Sequence, residues 1–267
     1  MDGAGVSLTR IFGFGKTELF DPFLLLDSFG SKEPGEYLAG FPWHPHRGIE
    51  TVTYLLDGSV RHGDSMGSSG VIGPGDLQWM TAGSGIIHEE MPLRSPNGVR
   101  GFQLWVNLPR SEKMSDPAYR GVLAAEVPCV PVPGGEVLVL TGRFGEAQGP
   151  ITGIVRAPTY LDVHLEAGAR ITLDAPAGET TFVQVYGGSL SAGGAAAVSS
   201  DSGLLFGEGD TVSLEAGDSG ARFIFMRGRP LREPVAWRGP IVMNTEEELE
   251  VAFSEYRSGT FVKKRGK

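Results

Sequence analysis

Apolar and polar residues alternate with a period of two through most of this chain, in short runs closed by turn-forming residues. Glu50-Thr51-Val52-Thr53-Tyr54-Leu55-Leu56 ends at Asp57-Gly58, a dipeptide that turns a chain tightly into a hairpin. Asp76–Thr81, Gly101–Asn107 and Glu136–Leu140 follow, each bounded by Gly, Pro or Asn. Tyr160–Leu165, Arg170–Leu173, Thr181–Tyr186, Thr211–Leu214 and Ala221–Met226 continue the pattern in the second half. Many short runs at this spacing, with turn residues between them, predict an all-β barrel or sandwich. The period changes once, near the end. Thr245-Glu246-Glu247-Glu248 reads as a capping box, and Leu249, Ala252, Phe253 and Tyr256 then share one helical face, with Gly259 as the stop.

The two halves repeat. Gly75-Asp76, five residues, then Ala82-Gly83 is answered by Gly209-Asp210, five residues, then Ala216-Gly217, an offset of 134. Gly58-Ser59-Val60 is matched by Gly188-Ser189-Leu190 at an offset of 130. Two frames in the same order at nearly equal offsets predict a duplicated β-barrel, with a boundary near residues 128–136 where prolines concentrate. The expected division is 1–130 and 131–267, the short C-terminal helix going with the second barrel.

Chemistry gathers in the first half. The chain has five histidines, and three of them lie in His44-Pro45-His46 and His88-Glu89-Glu90. Alternate residues of a strand share a face, so His44 and His46 aim at one point, while His88 and Glu90 face together and Glu89 turns away. A lone His-x-His is more often a surface pair. A second pair with the same spacing reverses that balance, and two such strands face to face would surround one divalent metal with three imidazoles and a carboxylate. This mixed N/O set suits Fe, Mn, Ni, Cu or Zn. At the repeat offsets the four positions fall on Asp174, Pro176, Arg222 and Ile224, so the second barrel keeps the turns and lacks the donors.

Composition narrows the rest. A formal charge of -9 argues against a direct grip on a phosphate backbone, and it leaves a protein partner open. Cys129 is the single cysteine, read as a small buried apolar side chain. No basic segment followed by an apolar core opens the chain, and no apolar run approaches the ~20 residues of a membrane span. The expectation is a soluble cytoplasmic protein with no membrane and no nucleic acid as partner.

Several blocks carry a resemblance. His44–Tyr54 (HPHRGIETVTY), Gly75–Gly83 (GDLQWMTAG), Gly85–Pro92 (GIIHEEMP), Gln103–Pro109 with Lys113-Met114, and Gly239–Thr245 (GPIVMNT) resemble the pirins, a branch of the cupin superfamily. The resemblance spans nearly the whole chain. It implies a bicupin, two tandem cupin-type β-barrels, whose N-terminal barrel binds one metal ion, Fe(II), through His44, His46, His88 and Glu90. Glu50 stands where many cupins place a carboxylate ligand; pirins do not use it so, which leaves it a supporting role. The resemblance also implies a quercetin 2,3-dioxygenase-like activity on a flavonol, with ring opening and release of carbon monoxide. Glu90 would then be the catalytic base for the 3-hydroxyl. The alternative is an iron-dependent, redox-sensitive regulator that binds a transcription factor or a metabolic enzyme without turnover.

The remaining residues have plainer readings. His62 and Asp64 read as surface residues with a lesser claim on the pocket, and His164 as structural. Phe41, Trp43, Trp79 and Met80 read as core packing beside the ligands, with a wall for a flat aromatic substrate as the alternative role of Trp43. Arg47-Gly48 reads as a turn or an ion pair behind the ligands. The basic tail Lys263-Lys264-Arg265-Lys267 reads as a solvated terminus.

Overall fold

The computed structural model describes residues 3–155 and 158–264, and it folds as two compact units. The first contains the chain up to Ala124 together with the segment from Leu231 onward; the second is Ala125–Pro230. Among the described residues the first unit has two large antiparallel sheets and a two-stranded one, Ala236–Arg238 with Ile241–Met243. The larger runs Leu8–Phe12, Phe23–Ser31, Val99–Asn107, Ile49–Asp57, Leu77–Thr81, Ala118–Val122 in spatial order. The smaller runs Phe41–His46, Ile86–Pro92, Val60–Asp64, Ser69–Ile72. The alternating runs of the sequence therefore become strands. Ile49–Leu55 is buried on both faces, which is why apolar Val52 and Leu55 alternate with small or hydrogen-bonded polar residues there and not with charged ones.

The second unit is built on Thr211–Gly228, which pairs with Thr159–Leu165, Thr180–Ala192 and Arg170–Asp174. Its interior is a cluster of Val137, Val139, Leu161, Val163, Val183, Val185, Phe223 and Phe225 with their neighbours. Every second residue of these strands contributes, as the period-2 pattern requires.

The sequence-level division assigned the closing segment to the second barrel, but the structure returns it to the first unit. Val242 N–H donates to the Arg47 carbonyl at 3.1 Å, and Ile241 and Val242 are wholly buried among residues of that unit. Burial of this apolar strand, which no local pattern encodes, draws the chain back. The helix Glu246–Arg257 has the expected cap: Thr245 Oγ1 accepts from Glu248 N–H at 3.2 Å, and the Glu248 carboxylate accepts from Thr245 N–H at 3.1 Å. Leu249 and Ala252 are buried, whereas Tyr256 is exposed. Cys129 is exposed, not buried, because it lies on the edge strand Cys129–Val132. Lys263 pairs with Glu255 and Lys264 with Asp116; Arg265 and Lys267 lie outside the described residues.

Candidate metal centre

Phe41–His46 and Ile86–Pro92 are paired antiparallel, with His44 opposite His88. That register, together with the period-2 spacing, brings His44, His46 and His88 together. One nitrogen from each lies within 4.8 Å of the others, a trio that could hold a metal ion. The hydrogen bonds fix which nitrogens face inward. His44 Nδ1 donates to the Pro42 carbonyl at 2.8 Å and His46 Nδ1 donates to the Pro240 carbonyl at 3.0 Å. A carbonyl only accepts, so both rings carry their proton on Nδ1 and present Nε2 to the centre. The two Nε2 atoms are 3.0 Å apart. Two lone pairs at that distance repel unless a cation lies between them.

Burial makes the trio suited to a metal. His46 is pushed down to about 3, first by loss of water and then by His44, with the Pro240 carbonyl acting in the opposite sense. His88 is held well below the usual imidazole range by burial and then by His46, His44 and His62. Neutral imidazole is the ligand form. Both ring nitrogens of His88 are buried without a hydrogen-bond partner, a costly state for a neutral polar group that coordination would relieve. The donor set fits a transition metal ion.

Glu90 shares the inward face of its strand with His88 and is buried, but its carboxylate does not join the trio within 4.8 Å. Thr53 Oγ1 lies 2.7 Å from Glu90 Oε1, and Gln78 Nε2 donates to the same oxygen. Among the described residues, Oε2 is left without a hydrogen bond. One oxygen is thus anchored to the large sheet, and Glu90 lines a cavity of about 710 Å³. His44, His46, Glu90 and Pro240 line that cavity, with Leu25, Phe29, Phe41, Trp105 and Trp237 supplying apolar walls. Its volume is that of a small-molecule site.

The other sequence candidates separate. His62 is buried, not on the surface; its ring stacks on Tyr119 at 4.3 Å and stands 5.5 Å from His88. Asp64 Oδ2 is 3.1 Å from His62 Nε2. Burial raises the Asp64 carboxyl, but bonds from His62 and the Ser68 and Met66 amides outweigh it and leave the group below its usual value. Glu50 falls on the face opposite Thr53. Its Oε1 accepts from Thr81 at 2.8 Å, and it is raised by burial more than that bond lowers it. It does not support the ligands. Trp43 is exposed and does not line this cavity; its aromatic walls include Trp105 and Trp237.

Behind the trio, buried Arg47 pairs with Glu255 at 2.8 Å and lies over the Phe261 ring at 4.2 Å. Gly48 has φ +76°, and a Cβ there would sit 1.9 Å from the Val242 carbonyl. Lys113 Nζ donates to Gly48 O at 2.8 Å, Asn107 Oδ1 at 2.7 Å and Val242 O at 3.1 Å. Its burial pushes it down to about 7, against the raising influence of Glu233 and Glu248. Three acceptors require all three protons of the ammonium, so these bonds favour the charged form.

Thr53, Gln78, Gln103 and the Pro240 carbonyl were missed by sequence reasoning. Gln78 and Gln103 did leave a signal, each being a polar residue flanked by apolar ones within its strand, whereas Thr53 sits among other polar residues of Ile49–Asp57 and left none. The Pro240 carbonyl left none.

In the second unit, Arg222 is exposed and pairs in register with His164, and Ile224 is buried. Neither side chain can ligate a metal. His164 is half-buried between Glu136 at 3.2 Å and the Tyr186 hydroxyl at 2.9 Å.

Two cupin-type barrels in tandem, the first holding a trio of converging imidazoles at the edge of an apolar cavity, define a bicupin with a metal-binding half. Residues 5–106 match the pirin family and residues 160–262 the pirin C-terminal cupin domain. The chain is 46% identical over 265 residues to a pirin-like protein of Caulobacter vibrioides, covering 97% of this chain and 94% of that one. It is 43% identical over 264 residues to human pirin, covering 96% and 88%. Among solved structures, the quercetin 2,3-dioxygenase from Acinetobacter baumannii superposes with a TM-score of 0.89 at 34% identity, covering 98% of this chain and 93% of that one. This chain belongs to the pirin family.

Proposed function

We propose that this protein is an iron-dependent dioxygenase acting on flavonols such as quercetin, with His44, His46, His88 and Glu90 holding Fe(II) in the first unit. The observation that carries the reading is the convergence of His44, His46 and His88 at an aromatic-walled cavity that Glu90 also lines, with one Glu90 oxygen held by Thr53 and Gln78. The likeness to a solved quercetin 2,3-dioxygenase supports the substrate class.

When bound, the metal would supply Lewis-acid capture of the substrate oxygens and the redox chemistry for dioxygen. The chain's own residues do the rest. Trp105, Trp237, Phe29 and Phe41 offer flat apolar surface to an aromatic ring system and exclude water from it. Glu90 Oε2 accepts the proton of the 3-hydroxyl, which leaves the substrate as its enolate. Thr53 and Gln78 keep Oε1 in place, so the carboxylate does not swing away while it carries that proton. The carbonyls of Pro42 and Pro240 hold His44 and His46 in the ligating tautomer.

The test is oxygen uptake with quercetin, comparing iron-loaded protein, its metal-free form and the iron-loaded Glu90→Gln variant. Uptake by the first, none by the second, and a loss on the order of 10²-fold or more in the third are expected for removal of a general base. No uptake above the metal-free control would overturn the enzymatic reading in favour of the regulatory one.

A further inference from the structure

Three buried imidazole nitrogens of the first unit have no hydrogen-bond partner among the described residues: Nδ1 and Nε2 of His88, and Nδ1 of His62. Coordination of a metal accounts for one nitrogen of His88. The other then carries the proton, because a neutral imidazole has one N–H. Ligating histidines pass that outer N–H to a fixed acceptor. His44 and His46 do so, to the carbonyls of Pro42 and Pro240. His88 needs an acceptor of its own, or a buried donor is left unmet.

The neighbouring strand supplies one. Val60–Asp64 pairs with Ile86–Pro92 so that His62 stands opposite Glu90 and Asp64 opposite His88. With a period of two, these side chains share one face. The His62 and His88 rings are 5.5 Å apart between centroids, within the range of direct contact. His62 Nε2 lies 3.1 Å from Asp64 Oδ2, and a carboxylate only accepts, so Nε2 carries the proton of His62. Nδ1 of the neutral ring is then a bare lone pair. A donor without an acceptor and an acceptor without a donor thus occupy adjacent buried rings.

The surroundings decide which ring adjusts. Asp64 is already engaged: Oδ1 takes the Met66 and Ser68 amides at 2.8 and 3.0 Å, and Oδ2 takes His62. The His62 ring is fixed by that bond and by stacking on Tyr119 at 4.3 Å between centroids. No hydrogen bond ties the His88 ring, so it is the one able to turn about its soft χ2.

We propose that His62 is the positioning residue of His88: in the metal-loaded protein its Nδ1 accepts the outer N–H of that ligand, while Asp64 fixes its tautomer. This rests on the imidazole trio as metal ligands and not on the flavonol substrate. His62 does not line the cavity, so it acts on a substrate only through the metal.

The experiment is nuclear magnetic resonance on Zn(II)-loaded protein with isotope-labelled histidine, joined to Zn(II) affinity by chelator competition. The expected spectrum shows a His88 N–H with a scalar coupling across the hydrogen bond to His62 Nδ1. His62→Phe should abolish the coupling and weaken Zn(II) binding about 10–100-fold. His62→Gln should restore most of the affinity, since a carboxamide donates to Asp64 and accepts from His88 at once. Asp64→Asn keeps the shape but turns an amide N–H toward His62 Nε2, which moves the ring proton to Nδ1. It should weaken binding as His62→Phe does. Absence of the coupling in the unaltered protein, or unchanged Zn(II) affinity in His62→Phe, would overturn the proposal and leave the trio standing. Failure of the unaltered protein to bind Zn(II) would overturn both.

Discussion

His46 and Pro240 are 194 residues apart in the chain, yet Nδ1 of the one donates to the carbonyl of the other at 3.0 Å. The last stretch of the chain thereby sets the tautomer of a ligand presented by one of the first strands. Val242 and Lys113 secure the same contact, since Val242 N–H bonds to the Arg47 carbonyl and Lys113 Nζ bridges the Val242 and Gly48 carbonyls. The metal centre and the C-terminal segment are one construction.

Removal of His88 should separate metal binding from folding. The cores around Leu55 and Ile49 do not include it, so His88→Ala is expected to keep its circular dichroism spectrum and lose most bound metal by elemental analysis. Full metal occupancy in that variant would show that the site lies elsewhere.

Gln78 should matter to the metal through Glu90, which it holds both directly and through Thr53, to whose hydroxyl it also donates at 3.0 Å. Replacing it with Leu removes a buried donor from Oε1 and leaves that oxygen to Thr53. A loss of about 10–100-fold in metal affinity is expected, as for other partners that orient ligands. Competition with a chelator of known affinity measures it, and unchanged affinity would mean that Glu90 is not a ligand.

Lys113→Met should be among the most damaging single changes in the first unit. It strips three buried oxygens of their shared donor, at about 1–3 kcal/mol for each group left unsatisfied. Denaturant unfolding should register a shift of several kcal/mol, and metal affinity should fall with it because the Gly48 turn and the returning strand lose their tie. A shift within ~0.5 kcal/mol, the range of ordinary surface changes, would refute the argument.

His164 gives a pH signature to the second unit. Its bond to Asp162 raises it most, burial opposes, and Asp162 charge and Glu136 raise it further, leaving it above the ordinary imidazole value. A raised folded value means that the stabilisation is fully present below the unfolded value of about 6.5 and is lost as pH rises through the folded one. His164→Gln should therefore lower the unfolding temperature at pH 5.5 more than at pH 8.5. An equal loss at both would assign His164 a role in packing only.

Metal stoichiometry tests the asymmetry of the two units. Arg222 and Ile224 stand where the repeat would place donors, so one ion per chain is expected after chelation and reconstitution. A reproducible value of two would contradict it.

The sequence by itself determined what a period of two determines. It placed His44 with His46 and His88 with Glu90 on shared faces, laid out the strands, and marked the last helix through its Thr245–Glu248 box, because these depend on residues within a few positions of each other. Parity says which side chains face together, but not what the face meets. Only the tertiary structure decided that Trp43 points to solvent, that Glu50 turns away from the trio and that His62 is buried behind His88. It also decided that Glu90 offers one oxygen while Thr53 and Gln78 occupy the other, and that the segment from Leu231 returns to the first barrel. These outcomes come from pairing between strands far apart in sequence. Burial of Ile241 and Val242 and satisfaction of buried donors and acceptors select that pairing globally, and no stretch of local pattern records it.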